Sequence, residues 1–319
     1  MRRALVIGAG GQIGTELTIR LAKELGAGNV VASDLNAPKI SENTAVLGLK
    51  LDVLDQVRLK QIVLDYEINE VYHLAATLSA TAEKNPGFSW HLNMQSLLNI
   101  LDLAKEGLIQ KVFWPSSVAV FGPGSPKTNT PQHTFMNPNT VYGISKSAGE
   151  NWCNYYFEKY NVDVRSLRFP GLLGYKSDPG GGTTDYALWA LKNAAHNAPY
   201  VSFLENNSGL PMMHMEDAID GIIKLMSAKP EQVKVRTSYN ISSTSFTPEE
   251  LEKEIQKFKP AFKISYQSDF RQAIADSWPD SLDDSEARLD WGWNPKYNFS
   301  SMVQNILEGF KKKLLTVTE

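Results

Sequence analysis

The chain has 319 residues, 42% of them hydrophobic, with 32 basic against 35 acidic side chains and a formal net charge of −3 at pH 7. That length supports about two domains at ~150 residues each, with a core large enough to carve a cleft. The small net charge gives no electrostatic reason to expect a nucleic acid or an anionic membrane as partner, and the single cysteine, Cys153, excludes an intramolecular disulfide or a cysteine-rich zinc site and fits a reducing, cytoplasmic setting.

The N-terminal run Ala4 to Ile7, ended by Gly8, is too short for a signal-peptide core and predicts a buried strand. Gln12 to Leu25 then has helical periodicity, "NVVASD" reads as a strand, Gln56 to Tyr66 as a helix, and "EVYHLAA" as a strand. Leu92 to Lys105 follows as a helix and "QKVFWPSS" as a strand. Alternation of this kind implies βαβ units and an α/β fold, a Rossmann-type doubly wound parallel sheet. A helix over Val141 to Tyr160 and a strand in "VDVRSLRFPG" continue the pattern. Beyond Gly171 the periodic runs grow sparser, with more Pro, Gly, Asn and Ser. The expected division is therefore a dinucleotide-binding domain over 1–172 and a smaller, mainly substrate-binding region over 173–319. "MMHMEDAIDGIIKLM" reads as a strand and helix returning to the first domain, near 211–242.

Three motifs carry chemistry. In "VIGAGGQIGTEL", Gly8, Gly11 and Gly14 sit between the first strand and first helix. There they permit a tight turn, approach of backbone N–H groups to a pyrophosphate and close helix packing. Asp34 ends the second strand, where its carboxylate can accept from the adenosine ribose hydroxyls and repel a 2′-phosphate, so NAD is expected over NADP. Asp52, after "LGLKL", is a candidate for the adenine end, although a solvated turn explains a lone acid nearly as well.

Tyr142 and Lys146 of "VYGISK" lie four apart on a helix and share a face. A free phenol titrates at ~10, and drawing it towards ~7 takes about 4 kcal/mol of preferential phenolate stabilisation, to which a neighbouring ammonium can contribute. Tyr142 then becomes a candidate general base at an alcohol. Ser116 and Ser117 end the fifth strand, where open α/β sheets bind ligands, and supply hydroxyls to hold the substrate oxygen.

Together "GAGGQIG", the acid at Asp34, "HLAA", "SS" before "VAVFG", "YGISK" and "RFPG" resemble the extended short-chain dehydrogenase/reductase family, in that family's order. The resemblance implies a seven-stranded sheet and Ser117, Tyr142 and Lys146 as catalytic residues. It also implies an NAD site formed by Gly8, Gly11, Gln12, Ile13, Gly14, Asp34, Leu35, Asp52, Val53, Leu74, Ala75, Ala76, Tyr142, Lys146 and Leu172. A homodimer packed through the helices near 92–107 and 142–160 is implied as well, with Cys153 an ordinary buried or interface thiol.

Many members of that family act on nucleotide sugars, whose pyrophosphate calls for arginine forks. No arginine occurs between Phe169 and Val235, although Arg271 and Arg288 remain available. The loop "PGGGTTDYA" offers instead backbone amides and the hydroxyls of Thr183 and Thr184, suited to a small carboxylate; a Thr helix cap followed by an acidic first turn explains the same residues. With "LSATAEKNP", "LPMMHMEDAID" and "FRQAIADSWP", the likeness narrows to a metal-independent branch that oxidises the β-hydroxyl of L-threonine with NAD. In that branch Ser79, Ser117, Tyr142, Thr183 and Thr184 are the expected substrate contacts, and Trp278 shapes the far wall or simply fills the core. His73, His91, His133, His196 and His214 show no close pair spacing, and no metal is expected. A nucleotide-sugar epimerase or dehydratase is the rival enzyme; a non-catalytic NAD sensor on the same fold would have no use for the Tyr-x-x-x-Lys pair.

Overall fold

Four consecutive buried apolar residues, Ala4 to Ile7, make an interior strand of a parallel sheet whose two faces are both covered, which is why the run does not alternate with polar residues. The computed structural model describes residues 1–40 and 45–317. The first half runs β1 (Ala4–Ile7), α1 (Gln12–Leu25), β2 (Val30–Asp34), β3 (Leu47–Lys50), α2 (Gln56–Asp65), β4 (Glu70–His73), α3 (Ser79–Ala82), α4 (Pro86–Lys105), β5 (Lys111–Ser117), α5 (Val141–Tyr160) and β6 (Asp163–Phe169). There follow β7 (Gly171–Leu173), α6 (Asp185–Ala195), β8 (Tyr200–Ser202), β9 (Leu210–His214), α7 (Met215–Ser227), β10 (Tyr239–Asn240) and β11 (Thr244–Phe246). The chain ends through α8 (Pro248–Gln256), β12 (Ile264–Tyr266), α9 (Arg271–Ser277), α10 (Ser285–Trp291) and α11 (Phe299–Val317).

Seven strands form the main sheet in the order β10-β6-β5-β4-β1-β2-β3, each pair parallel. The chain therefore reverses direction across the sheet between β1 and β4, and a crevice opens beyond the carboxyl ends of those two strands. Leu5, Ile7, Val71 and Val112 point into the layer of α2, α4 and α5 with Leu59, Leu97 and Ile100; Ala4, Val6, Tyr72 and Phe113 face Leu17 and Leu21 of α1 and Ile219 and Ile222 of α7. The chain thus comes back to this sheet twice after β7, through α7 on one face and β10 at the edge.

Pro115 lies inside β5, a central strand, where it has no N–H to give a ladder. β4 pairs with β5 only as far as Phe113, while β6 accompanies β5 to Ser117. The proline falls where β4 has already parted from β5.

α4 begins at Pro86, six residues before the expected start at Leu92. Asn85 caps it by accepting from Phe88 N at 3.3 Å, with proline in the first turn where no N–H is needed. A three-stranded sheet, β11-β9-β7, and a two-stranded one, β12-β8, make up the second region, with α6, α8 and α11 packed around a third core that includes Tyr186, Leu191, Leu210, Phe246 and Ile306. Val118 to Phe121, just after β5, are buried in that same core, so the end of β5 is the joint between the two regions.

Candidate active site

The glycine turn after β1 is fixed by sterics. Gly8 has φ of 84°, and a Cβ there would lie 2.7 Å from Ala75 N; a Cβ on Gly14 would lie 2.2 Å from the Gly8 carbonyl oxygen. Gly8 N and Ala9 N both donate to Ser33 O, at 2.9 and 3.0 Å, which ties the turn to β2. α1 then starts with no side-chain cap and no acidic residue in its first turn. Its first N–H groups and the positive end of its dipole are left for an anion, as a dinucleotide pyrophosphate requires.

At the other side of the crevice Asp34 accepts from Gly10 N at 2.9 Å and from Leu35 N at 2.8 Å. Asp52 closes the loop after β3 by accepting from Leu54 N at 2.9 Å. Asn99 of α4 donates to the Val53 carbonyl at 3.1 Å and so holds that loop from below. Gly8, Gly11, Asp34, Leu35, Asp52, Val53, Leu74, Ala75 and Ala76 line one continuous hollow, and Leu74 and Ala76 pass it on to a second. The second hollow is lined by Gln12, Ile13, Ser79, Ser117, Tyr142, Lys146, Leu172, Thr183, Thr184 and Trp278. Gly14 stands behind the turn, packed on Gly8 and Ala9.

At the centre, Tyr142 and Ser117 line the same hollow, and Ser117 Oγ accepts from Ala119 N at 3.2 Å. Burial pushes the Tyr142 phenol up to about 12, with the nearby Ser117 hydroxyl opposing it. The Lys146 Nζ donates to the Pro115 carbonyl at 2.5 Å, lies 4.4 Å from the centroid of the Trp114 ring and 5.6 Å from that of Tyr142. Burial lowers Lys146 to about 7, with Cys153 and Glu150 opposing it. The cation expected to favour the phenolate thus engages the carbonyl that β5 frees at its proline.

The loop before α6 departs from the sequence expectation. Gly181 N and Gly182 N both donate to Asp185 Oδ2, at 2.7 and 2.8 Å, so these amides are already satisfied from within. Burial raises the Asp185 carboxyl above the usual carboxylate range, while the glycine amides and Arg271 pull it back. Thr184 takes the N-cap position of α6 but makes no side-chain cap bond; it packs where a Cβ on Gly171 would stand, 2.7 Å from Thr184 Cβ. Thr183 Oγ1 and Ser79 Oγ are 3.2 Å apart, and Gln12 Nε2 donates to the Asp178 carbonyl at 3.0 Å. The loop therefore spans the mouth of the cleft, from the start of α1 to the start of α3. Asp185, Pro115 and Phe169 also reach the cleft, and only the acidic first turn of α6 hinted at any of them in the sequence.

Arg271 lies against the Phe203 ring and pairs with Asp269, and Arg288 pairs with Asp284. Neither lines either hollow, and among the described lining residues Lys146 is the one cation.

The NAD dependent epimerase/dehydratase family matches the chain over residues 4–242. An uncharacterized epimerase/dehydratase of Staphylococcus aureus (strain MRSA252) is 45% identical over 315 residues, 98% of each chain. Among solved structures, a partial consensus L-threonine 3-dehydrogenase superposes with a TM-score of 0.95 at 49% identity, covering 97% of this chain and 99% of that one. The holo form of a GalE-like L-threonine dehydrogenase from Cupriavidus necator gives 0.94 at 48% identity, covering 97% and 100%. The uncapped start of α1, the glycines that admit no Cβ and the acid at the end of β2 fit the dinucleotide that this likeness calls for, and the chain belongs to the NAD dependent epimerase/dehydratase family, with NAD as its cofactor.

Proposed function

We propose that the protein oxidises the β-hydroxyl of L-threonine to 2-amino-3-ketobutyrate. The observation that carries this reading is the composition of the inner hollow. Its charged lining residues are one cation and one anion, Lys146 and Asp185, beside the hydroxyls of Ser79, Ser117, Tyr142, Thr183 and Thr184. A zwitterionic amino acid with a hydroxyl suits such a lining, whereas a nucleotide sugar brings a doubly anionic pyrophosphate that finds no arginine there. The relatives that are L-threonine dehydrogenases by their own description support the same substrate.

When bound, NAD supplies the acceptor for the hydride that leaves the substrate Cβ. Gln12, Ile13 and the amides at the start of α1 would hold its pyrophosphate, Asp34 and Leu35 would serve the ribose, Asp52 and Val53 the adenine, and Leu74, Ala75, Ala76 and Leu172 would form the walls. Ser117 holds the substrate oxygen and Tyr142 takes its proton. Bringing that phenol from about 12 to ~8 requires about 5 kcal/mol, so the base works only when positive charge is assembled beside it, and Lys146 is the protein's own source of that charge. Ser79, Thr183 and Thr184 hold the amino-acid head group, and Trp278 closes the far wall.

The mechanism gives no task to a metal. Exposed Phe88, Trp90, Ile144, Trp152 and Tyr155 on α4 and α5 offer an apolar face for a second copy of the chain, which sedimentation equilibrium tests directly. The activity is tested by steady-state NADH formation with L-threonine and other β-hydroxy amino acids, and the rival by chromatographic detection of converted UDP-sugar, because an epimerase or dehydratase returns the hydride and accumulates no NADH. Turnover of a UDP-sugar without turnover of L-threonine overturns the reading.

A further inference from the structure

α5 carries a second buried group beneath the catalytic residues. Glu150 stands one turn after Lys146 and is completely buried. Ser116 Oγ donates to its Oε1 at 2.6 Å, Arg168 Nε to the same oxygen at 2.8 Å, and Arg168 Nη2 to Oε2 at 2.7 Å. Arg168, from β6, also donates to the Gln132 carbonyl at 2.9 Å and to Asn240 Oδ1 at 3.1 Å. One carboxylate thus joins α5, β5 and β6, and through the guanidinium also β10. Burying two charges costs desolvation that offsets much of their attraction, so such a pair is weak evidence for stability, and its geometric role calls for explanation.

Three consecutive residues of β5 divide the work. The Pro115 carbonyl takes Lys146 Nζ, the Ser116 hydroxyl goes to Glu150, and Ser117 lines the inner hollow together with Tyr142. Lys146 and Glu150 are four apart on α5, so α5 grips β5 at two neighbouring points with one turn of helix. We propose that Glu150, clamped by Arg168, is a positioning residue that keeps the Ser116–Ser117 end of β5 in place against the Tyr142–Lys146 turn. The inference rests on Ser117, Tyr142 and Lys146 being the reacting set. Glu150 also opposes the burial that lowers Lys146, so its charge acts in the same sense as its geometry.

Ser116→Ala removes the link to β5 and leaves the ion pair whole. We expect kcat with L-threonine to fall about tenfold, because small misplacements of reacting groups are costly, while KM for NAD stays near wild type and the melting temperature falls by only the few degrees that one hydrogen bond to a buried carboxylate accounts for. Ser116→Thr, which keeps the hydroxyl, restores kcat. A second variant, Glu150→Met with Arg168→Met, exchanges the pair for apolar side chains without leaving a lone charge and should lower kcat by about a hundredfold with KM for NAD again unchanged. Amide exchange over residues 116–120 of the NAD-bound enzyme should quicken in Ser116→Ala and return in Ser116→Thr. Wild-type kcat in either folded variant, or losses that follow the melting temperature and are not restored by Ser116→Thr, overturn the proposal. The exchange measurement needs no substrate: if wild-type protein is inert towards L-threonine, the substrate reading falls, and exchange alone decides the positioning role. Unchanged exchange then sinks it.

Discussion

Asp185→Asn asks whether the loop over the cleft is held shut by its own carboxylate. In the structure one oxygen, Oδ2, takes both Gly181 N at 2.7 Å and Gly182 N at 2.8 Å. A hydrogen bond to a charged acceptor contributes about 1.5–3 kcal/mol and a neutral one about 0.5–1.5 kcal/mol. Asparagine can present an oxygen to the same amides, so the change weakens two bonds by roughly 1–1.5 kcal/mol each. Burial already disfavours the Asp185 anion, and losing the charge recovers part of that cost. The net effect is about 2 kcal/mol against closure, or roughly thirtyfold in the ratio of shut to open loop. We expect kcat/KM for L-threonine to fall by about that factor. NAD affinity in the binary complex should stay within about twofold, because the glycine turn and Asp34 do not touch Asp185. Initial rates of NADH formation give the first quantity and fluorescence titration with NAD the second. A kcat/KM within threefold of wild type would refute the latch.

Tyr142→Phe should abolish most turnover while leaving NAD affinity nearly intact, since only the proton acceptor is lost; near-normal rates in the variant would remove Tyr142 as the base. Thr184→Ala should lower kcat/KM for L-threonine about tenfold, the loss of one hydrogen bond to a charged group. Its melting temperature should barely move, because Thr184 makes no cap bond to lose; a drop in stability with unchanged kinetics contradicts its substrate role. Buried His73 and His214 are held down to about 3 and about 4, against ~6.5 in the unfolded chain. Their neutral forms favour the fold fully above ~6.5, and that stability is lost as pH falls towards the folded values, by ~2 kcal/mol for each at pH 5. Denaturant titrations at pH 7 and pH 5 measure the loss, and His214→Asn should cancel its own share; a pH-independent midpoint contradicts the assignment.

The large sheet was legible because its strands are local signals. Runs such as "ALVI" and "NVVASD" are buried on both faces, and glycine is demanded at position 14 by Gly8 and Ala9 of the same turn, whereas the demand at position 8 comes from Ala75 across the sheet and only the spacing of the motif signals it. The start of α4 was hidden because exposed Phe88 and Trp90 blur the amphipathic pattern there, although Asn85 followed by Pro86 spells a capped helix start. β7, β8 and β11 have three residues each and exist only through distant partners, which no periodicity records. The spacing of Tyr142 and Lys146 predicts a shared face. It does not predict that Lys146 turns to the Pro115 carbonyl, since that follows from β4 leaving β5 two residues earlier. The glycines at 180–182 were visible as a flexible loop, but their amides turn to a carboxylate of the same loop.

The bond between Asp34 and Gly10 also bears on how readily this fold can change cofactor. On the proposed reading Asp34 is the residue that an NADP-preferring descendant would have to replace, yet its carboxylate also anchors the glycine turn, and a Cβ on Gly10 would come within 3.0 Å of Asp34 Oδ2. Substituting it by serine or arginine removes the anion proposed to repel a 2′-phosphate and at the same stroke removes the carboxylate that holds Gly10 N. Single-step variants at this position should therefore bind both dinucleotides poorly. A lineage in search of NADP would first have to acquire another anchor for Gly10, which makes the preference for NAD a feature that selection on position 34 alone is slow to reverse.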